Sequence, residues 1–453
     1  MTRGKVISQQ DMATPMISAQ AEQMIRTFDN EAPHHREARL AWWREARFGL
    51  FVHWGLFSAA GGTWKGEPCP FLGCWMQDRF RIPLAEYAAA LLPKFTGERF
   101  DPEAIVKLAL QAGMKYVIPV AKHHEGFSLF HSQASDFTIA QTPARQDWIR
   151  GLADACHGQG LRFGVYYSQN LDWHHPGGGG IRWDPAQDGD SDRYVDEIVI
   201  PQVRELLTGY GEVSVLWWDI PGGEVPGGII DAARAARILA VVRELRPNIV
   251  MNNRLGGGFA GDTETPEQFI PPTGFPGRDW ETCQTLNRTW EYTHYDREWK
   301  SPTTLIRELI DTASKGGNYL LNIGPKPDGS LPRSTVDTLR AMGGWMQVHG
   351  EAIHGTCASP FATILPWGRC TQRQLPDGVT RLYLHLFAWP FDSILRLPTL
   401  TNTVLGAALL SEPGAGPLPI LRQADGRLEV QLPIAEPDDY ATVVMVDVVG
   451  RVT

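Results

Sequence analysis

An aspartate closes the apolar run VLWWDI directly after Trp217 and Trp218, and the position of Asp219 is the most chemically informative feature of the chain. The run reads as a strand covered on both faces, where an ionised carboxylate is costly unless it is paired or used in chemistry. Neighbouring indoles supply flat apolar area beside a few polar groups, which suits a sugar ring. More carboxylates follow in GDTETPEQ (Asp262, Glu264, Glu267) and in DWETCQT (Glu281). Glycoside hydrolysis ordinarily uses two carboxylates flanking the scissile bond, one as acid and base and, in retaining enzymes, the other as nucleophile. Spacing along the chain leaves open which of these acids meets Asp219, and an aspartate that merely caps the next helix is the plainer alternative.

Other polar residues fall at comparable places. His53, the pair His123 and His124, Tyr166 and Arg254 also end apolar runs. His53 by itself is equally a core histidine satisfied by backbone. If its strand continues, the pair His123 and His124 points to opposite faces, so only one need reach a site. With Glu125 the pair superficially resembles a metal-ligand set, but no third ligand stands at zinc-finger or zincin spacing, and no metal is expected. Arg254 suits a bidentate hold on vicinal hydroxyls or on a carboxylate.

The elements that must position these residues alternate between strand and helix. Strands are predicted at 48–55, 115–122, 161–168, 214–220, 248–254 and 318–324, with one or two weaker ones between Arg254 and Asn318. Amphipathic helices are predicted at 101–111, 147–157, 192–207, 231–245 and 302–314. This alternation implies parallel strands under helices and a (β/α)8-like barrel, irregular on its later side, with the polar residues gathered on the rim formed by the strands' C-terminal ends. A helix at 335–348 leads to short β-branched runs that read as an antiparallel β-sandwich. The expected units are an N-terminal extension (1–38), the barrel (39–349) and the sandwich (350–453). Gly177–Gly180 reads as a flexible tip on the loop after the third strand.

Composition narrows the classes of partner. The 453 residues carry 42 basic and 51 acidic side chains, a net charge of −9, and no long basic block, which argues against nucleic acid or an anionic membrane. No signal-like or membrane-spanning stretch is read, so a cytoplasmic location is expected. Six cysteines without CxxC spacing argue against structural zinc and a disulfide framework. Oligomeric state is not readable from the pattern.

Taken in order, RFGLFVHWG, KYVIPVAKHHEGF, GLRFGVYYSQNLDW, LWWD, NNR, GDTETPEQ with DWETCQTLNRTW, and SKGGNYLLNIGPKPDGS resemble the α-L-fucosidases of glycoside hydrolase family 29 over nearly the whole chain. The resemblance implies a (β/α)8-like barrel with a C-terminal β-sandwich, no metal or other cofactor, and a retaining double displacement on fucosylated oligosaccharides or glycoconjugates. It makes Asp219 the nucleophile and places His53, Trp75, His123, His124, Tyr166, Trp217 and Arg254 around the sugar. For the acid/base it prefers Glu267 in the TPE string to Glu281 in the WE string.

Two departures bear on substrate scope. Cys74 stands where some relatives carry a glutamate before the tryptophan, so a hydroxyl contact is lost or is supplied by Glu67. The usual aspartate-glycine is replaced by Asp219-Ile220-Pro221. The expected activity is that of a retaining exo-α-L-fucosidase. The alternatives are a glycosidase for another L-galacto-configured sugar and a sugar-binding protein without turnover.

Overall fold

A computed structural model describes residues 9–70, 72–180, 183–220 and 228–452. Eight parallel strands run in chain order: β1 (Phe48–Val52), β2 (Tyr116–Lys122), β3 (Arg162–Tyr167), β4 (Val213–Trp218), β5 (Val250–Met251), β6 (Thr263–Glu264), β7 (Asp279–Thr285) and β8 (Asn318–Ile323). Each pairs with the next from β1 to β5 and from β6 to β8, and β8 pairs back onto β1 with Phe51 opposite Asn322. A bridge between Asn252 and Thr263 joins β5 to β6 and closes the barrel. The two weaker strands expected between Arg254 and Asn318 are β6 and β7. No helix separates β5, β6 and β7 among the described residues, and these links are the irregular later side.

The side-chain alternation of the strands sorts the core into two sets. Phe51, Tyr116, Ile118, Val120, Tyr166 and Trp217 fill the barrel interior. Their neighbours Leu50, Val117, Val165, Leu216 and Trp218 face the surrounding helices. Those helices begin where an aspartate or serine satisfies an otherwise free amide: Asp101 accepts from Ala104 N, Asp147 from Arg150 N, Asp231 from Arg234 N and Ser301 from Thr304 N. The helix expected over 192–207 is three joined pieces, Ser191–Tyr194, a widened turn Val195–Val199, and Ile200–Gly209. Pro201 lacks the amide that a regular turn would need at this point.

The helix Pro33–Ala46 crosses residue 38, where the sequence places the start of the barrel unit. Its Leu40, Trp43 and Ala46 belong to the barrel-interior set, and Asn318 Nδ2 at the start of β8 donates to Trp43 O at 2.8 Å, so this helix plugs the N-terminal mouth. Beyond the helix Arg333–His349 lie two antiparallel sheets. The larger orders Gly368–Gln374, Val379–Leu386, Thr442–Val449 and Val404–Leu409; the smaller orders Ile394–Leu397, Leu428–Gln431 and Ile420–Arg422. Leu382, Leu384, Val444 and Val446 meet Leu395, Leu397 and Val430 between them. The opposite face of the larger sheet, with Tyr383 and Val443, joins the main core, and Trp345 Nε1 donates to Ala441 O at 2.9 Å. Among the described residues no helix is long and apolar enough to cross a membrane.

Candidate active site

The strand ends converge on a cavity of about 450 Å³ at the C-terminal mouth of the barrel. Asp219, one residue past β4, lies on its wall. Tyr166 O–H donates to Asp219 Oδ2 at 2.6 Å, Arg254 Nη1 donates to Oδ1 at 2.9 Å, and Ile220 N donates to Oδ1 at 2.8 Å. Burial alone would raise the Asp219 carboxyl. The Arg254 charge, the Tyr166 hydroxyl and the Ile220 amide outweigh it and hold it below the usual carboxylate range. Ile220 is held at φ 57°, a left-handed conformation unusual for a β-branched residue, and Asn170 Nδ2 donates to its carbonyl at 2.9 Å. This turn fixes the carboxylate it contacts. Pro221, the third residue of the altered string, lies outside the described residues.

His53, His123 and His124 all line the cavity. The condition under which His123 and His124 would diverge is not met: β2 ends at Lys122 after a register shift between Val120 and Lys122, and both rings turn inward, 4.1 Å apart. Burial is the leading cause that keeps all three neutral, with His53 and His124 lowered to about 4 and His123 lowered further. His53 Nδ1 meets Asn322 Oδ1 at 2.6 Å, and His124 Nδ1 meets Ser168 Oγ at 2.7 Å. Aromatic faces complete the wall. Trp75 stands edge-on to His124 at 5.0 Å, Tyr166 stacks on Trp217 at 5.6 Å, and the Arg254 guanidinium lies 4.9 Å over the Trp217 ring.

The structure separates the two glutamates. Glu267 lines the cavity, and its Oε2 lies 2.8 Å from the same Arg254 Nη1 that holds Asp219. Glu281 is the third residue of β7 and pairs in register with Asn318, the first of β8, so it sits beneath the cavity, towards the plugged end. Its carboxyl is buried, accepts from Tyr116 O–H and from Trp217 Nε1 at 3.2 Å, and is raised to about 7 by burial against these donors. Of the two acid/base candidates only Glu267, the one preferred from the sequence, therefore lines the cavity. Of the other acids in that stretch, Asp262 forms a buried two-point pair with Arg39, and Glu264 pairs with Arg278.

Several wall residues escape the sequence reading. Phe51 lies two positions before His53 on the same strand face, and Trp290 packs 5.0 Å from His53; strand alternation signals the first, and no periodic signal marks the second. Asn253, Thr265 and Arg79 also line the cavity. Glu67 does not replace the glutamate missing at Cys74, because it is exposed on the hairpin of Thr63–Trp64 and Glu67–Pro68. The acid nearest Cys74 is instead the buried Glu291, which accepts from Gly73 N at 2.6 Å. Gly177 and Gly178, expected at a flexible tip, are buried against the backbone of Asp190 and Asp172, where a Cβ would not fit.

Ligand atoms of His123, His124 and Asp219 lie within 4.8 Å of one another. Arg254 already neutralises Asp219, and a cation placed among these three groups would face the guanidinium at close range, so the charge arrangement fits a cationic site poorly.

The family model for alpha-L-fucosidase matches residues 15–351. Tissue alpha-L-fucosidase from Homo sapiens is 30% identical over 384 residues, covering 80% of this chain and 79% of that protein. Alpha-L-fucosidase isoenzyme 1 from Paenibacillus thiaminolyticus is similar in structure with a TM-score of 0.80 at 34% identity, over 91% of this chain and 99% of that one. An alpha-L-fucosidase from Bacteroides thetaiotaomicron, TM-score 0.80 at 26% identity over 90% of this chain and 95% of that one, is known as a trapped covalent intermediate in a glutamate-to-glutamine variant.

Proposed function

The chain belongs to the α-L-fucosidase family, and on that premise we propose that it is a retaining exo-α-L-fucosidase with Asp219 as nucleophile and Glu267 as acid/base. The observation that carries this assignment is the meeting of both carboxylates on one guanidinium nitrogen of Arg254 at the cavity. Contacts of that length keep the two acids within roughly 6 Å, the range in which a retaining pair operates and in which no water fits between them for direct displacement.

In the first step an Asp219 oxygen attacks the anomeric carbon while Glu267 gives its proton to the departing glycosidic oxygen, leaving a fucosyl ester on Asp219. The incoming aglycone must take Glu267 off Arg254, which stays with Asp219 and keeps the nucleophile ionised. Esterification then removes the Asp219 charge and leaves Arg254 to Glu267 alone. As a carboxylate, Glu267 takes a proton from the water that attacks the same carbon from the vacated side, and two inversions give net retention. His53, His123, His124 and Tyr166 provide polar contacts for sugar hydroxyls, while Phe51, Trp217 and Trp290 offer apolar area for the ring and the methyl of a 6-deoxy sugar.

Hydrolysis of 4-nitrophenyl α-L-fucoside, compared with aryl glycosides of other L-galacto-configured sugars, tests the assignment. Asp219→Gly is expected to lower kcat on the order of 10⁴-fold, and azide is expected to restore turnover with β-fucosyl azide as product. Folded wild type without fucosidase activity, or an α-configured azide from Asp219→Gly, overturns it. Retention of both carboxylates at the cavity disfavours a sugar-binding protein without turnover.

A further inference from the structure

His124 stands next to the proposed nucleophile, and the position of its single proton follows from hydrogen-bond accounting. Ser168 Oγ donates to Leu171 O at 2.8 Å, and a carbonyl oxygen can only accept. The serine has one proton to give, so towards His124 Nδ1, 2.7 Å away, its oxygen can only accept. Nδ1 therefore carries the hydrogen. Both residues are buried, and burial keeps the ring neutral, so Nε2 carries a lone pair. That bare nitrogen lies 3.6 Å from Asp219 Oδ2, the oxygen already receiving the Tyr166 hydroxyl.

Two acceptors thus face each other across a gap that the opposite tautomer would close. With the hydrogen on Nε2, His124 would donate to Asp219, drain charge from the nucleophile and stand where a substrate hydroxyl must enter. We propose that Ser168 is a positioning residue that locks His124 as the Nδ1–H tautomer, sparing Oδ2 of Asp219 a second donor beside the Tyr166 hydroxyl and presenting Nε2 as the acceptor for a hydroxyl of the bound sugar. The same accounting holds at His53. Asn322 Nδ2 donates to Trp290 O at 2.6 Å, its Oδ1 is left to accept from His53 Nδ1, and His53 Nε2 is likewise an acceptor. The cavity is built to read substrate hydroxyls as donors at two imidazoles.

The functional consequence rests on Asp219 being the nucleophile; the tautomer itself does not, and the experiment reads the two separately. Two-bond proton–nitrogen spectra of ¹⁵N-histidine-labelled protein distinguish the tautomers, with His124 assigned by the signal lost in His124→Phe. Wild type is expected to show Nδ1–H at His124. Ser168→Ala is expected to move the hydrogen to Nε2 and lower kcat about tenfold, the scale of one misplaced hydrogen bond, with KM much less affected. Ser168→Thr, which keeps the hydroxyl, is expected to retain the wild-type spectrum and rate. An Nε2–H or doubly protonated His124 in wild type at neutral pH overturns the lock. A tautomer that moves in Ser168→Ala without any change in kcat overturns its role in turnover, even if the azide experiment supports Asp219 as nucleophile. Should Ser168→Ala fail to fold, the wild-type spectrum still decides the tautomer, and Ser168→Cys, of similar size but a poor acceptor, replaces it in the kinetic test.

Discussion

The mouth and the base of the barrel each hold a glutamate, one linked to Trp217 through Arg254 and the other bonded to its indole directly, and their surroundings differ in kind. At the mouth, Glu267 is 39% exposed and faces the charged Arg254, whose guanidinium lies over the Trp217 ring. At the base, the buried Glu281 takes the Trp217 indole N–H and the Tyr116 hydroxyl, both neutral donors, behind the plug formed by the helix Pro33–Ala46. A place on the cavity wall with access to solvent suits a group that must exchange a proton with substrate and water in each turnover. Burial in a dry interior suits a carboxyl that keeps its proton up to about pH 7 and holds an indole in place. Residue type is the same at both ends; the environment divides the roles.

Removing each glutamate tests that division most strongly. Glu267→Ala is expected to lower kcat for poor leaving groups by about 10²–10⁴-fold, with a much smaller loss for activated aryl fucosides that depart without a proton. Its thermal midpoint should stay near wild type. Glu281→Ala should do the reverse, leaving two buried donors without an acceptor and costing about 2–4 kcal/mol of stability, while the folded fraction retains activity within about tenfold. Leaving-group series and thermal melts on both variants decide the matter, and a leaving-group-dependent collapse in Glu281→Ala would reverse the roles. Arg254→Lys comes next in size. A single ammonium cannot reproduce the planar guanidinium that meets both acids and stacks on Trp217, and kcat/KM is expected to fall about 10–100-fold.

These contrasts also mark where the sequence stops being informative. Asp219, Tyr166 and Arg254 were legible because each follows an apolar run whose length identifies a strand, and barrels place function at that end. Glu267 and Glu281 were not separable from the residues alone. Their difference depends on how far β7 extends below the mouth, and Glu281 becomes a base residue only once Asn318 is known to be its register partner. The inward turn of both His123 and His124 depends on the register shift before Lys122, which no alternation records. β5 and β6 are two residues each, too short for any period, and their pairing is set by closure of the sheet. The plug was missed because the helix Pro33–Ala46 is rich in charge, and its buried Leu40 and Trp43 form too narrow a stripe to announce a partner.

A smaller effect, and a more specific one, separates the base from the mouth by pH. The Glu281 carboxyl titrates at about 7 in the fold against 4.5 for an unperturbed glutamate, with burial as the cause. Between those values the unfolded chain releases a proton that the folded chain keeps, so this group's stabilising contribution is complete below about pH 4.5 and is lost as pH rises through about 7. Glu281→Gln is neutral at every pH and can still accept from Trp217, so it lacks this loss. Relative to wild type, its stability should rise by on the order of 3 kcal/mol between pH 4.5 and pH 8, and the variant that is no better than wild type in acid should be the more stable at pH 8. Glu125, also raised by burial, is present in both proteins and cancels in the difference. Chemical denaturation of the pair at matched pH values measures the effect directly. A gap that stays constant with pH would mean that Glu281 is already ionised in the fold, and the neutral base would lose its contrast with the charged mouth.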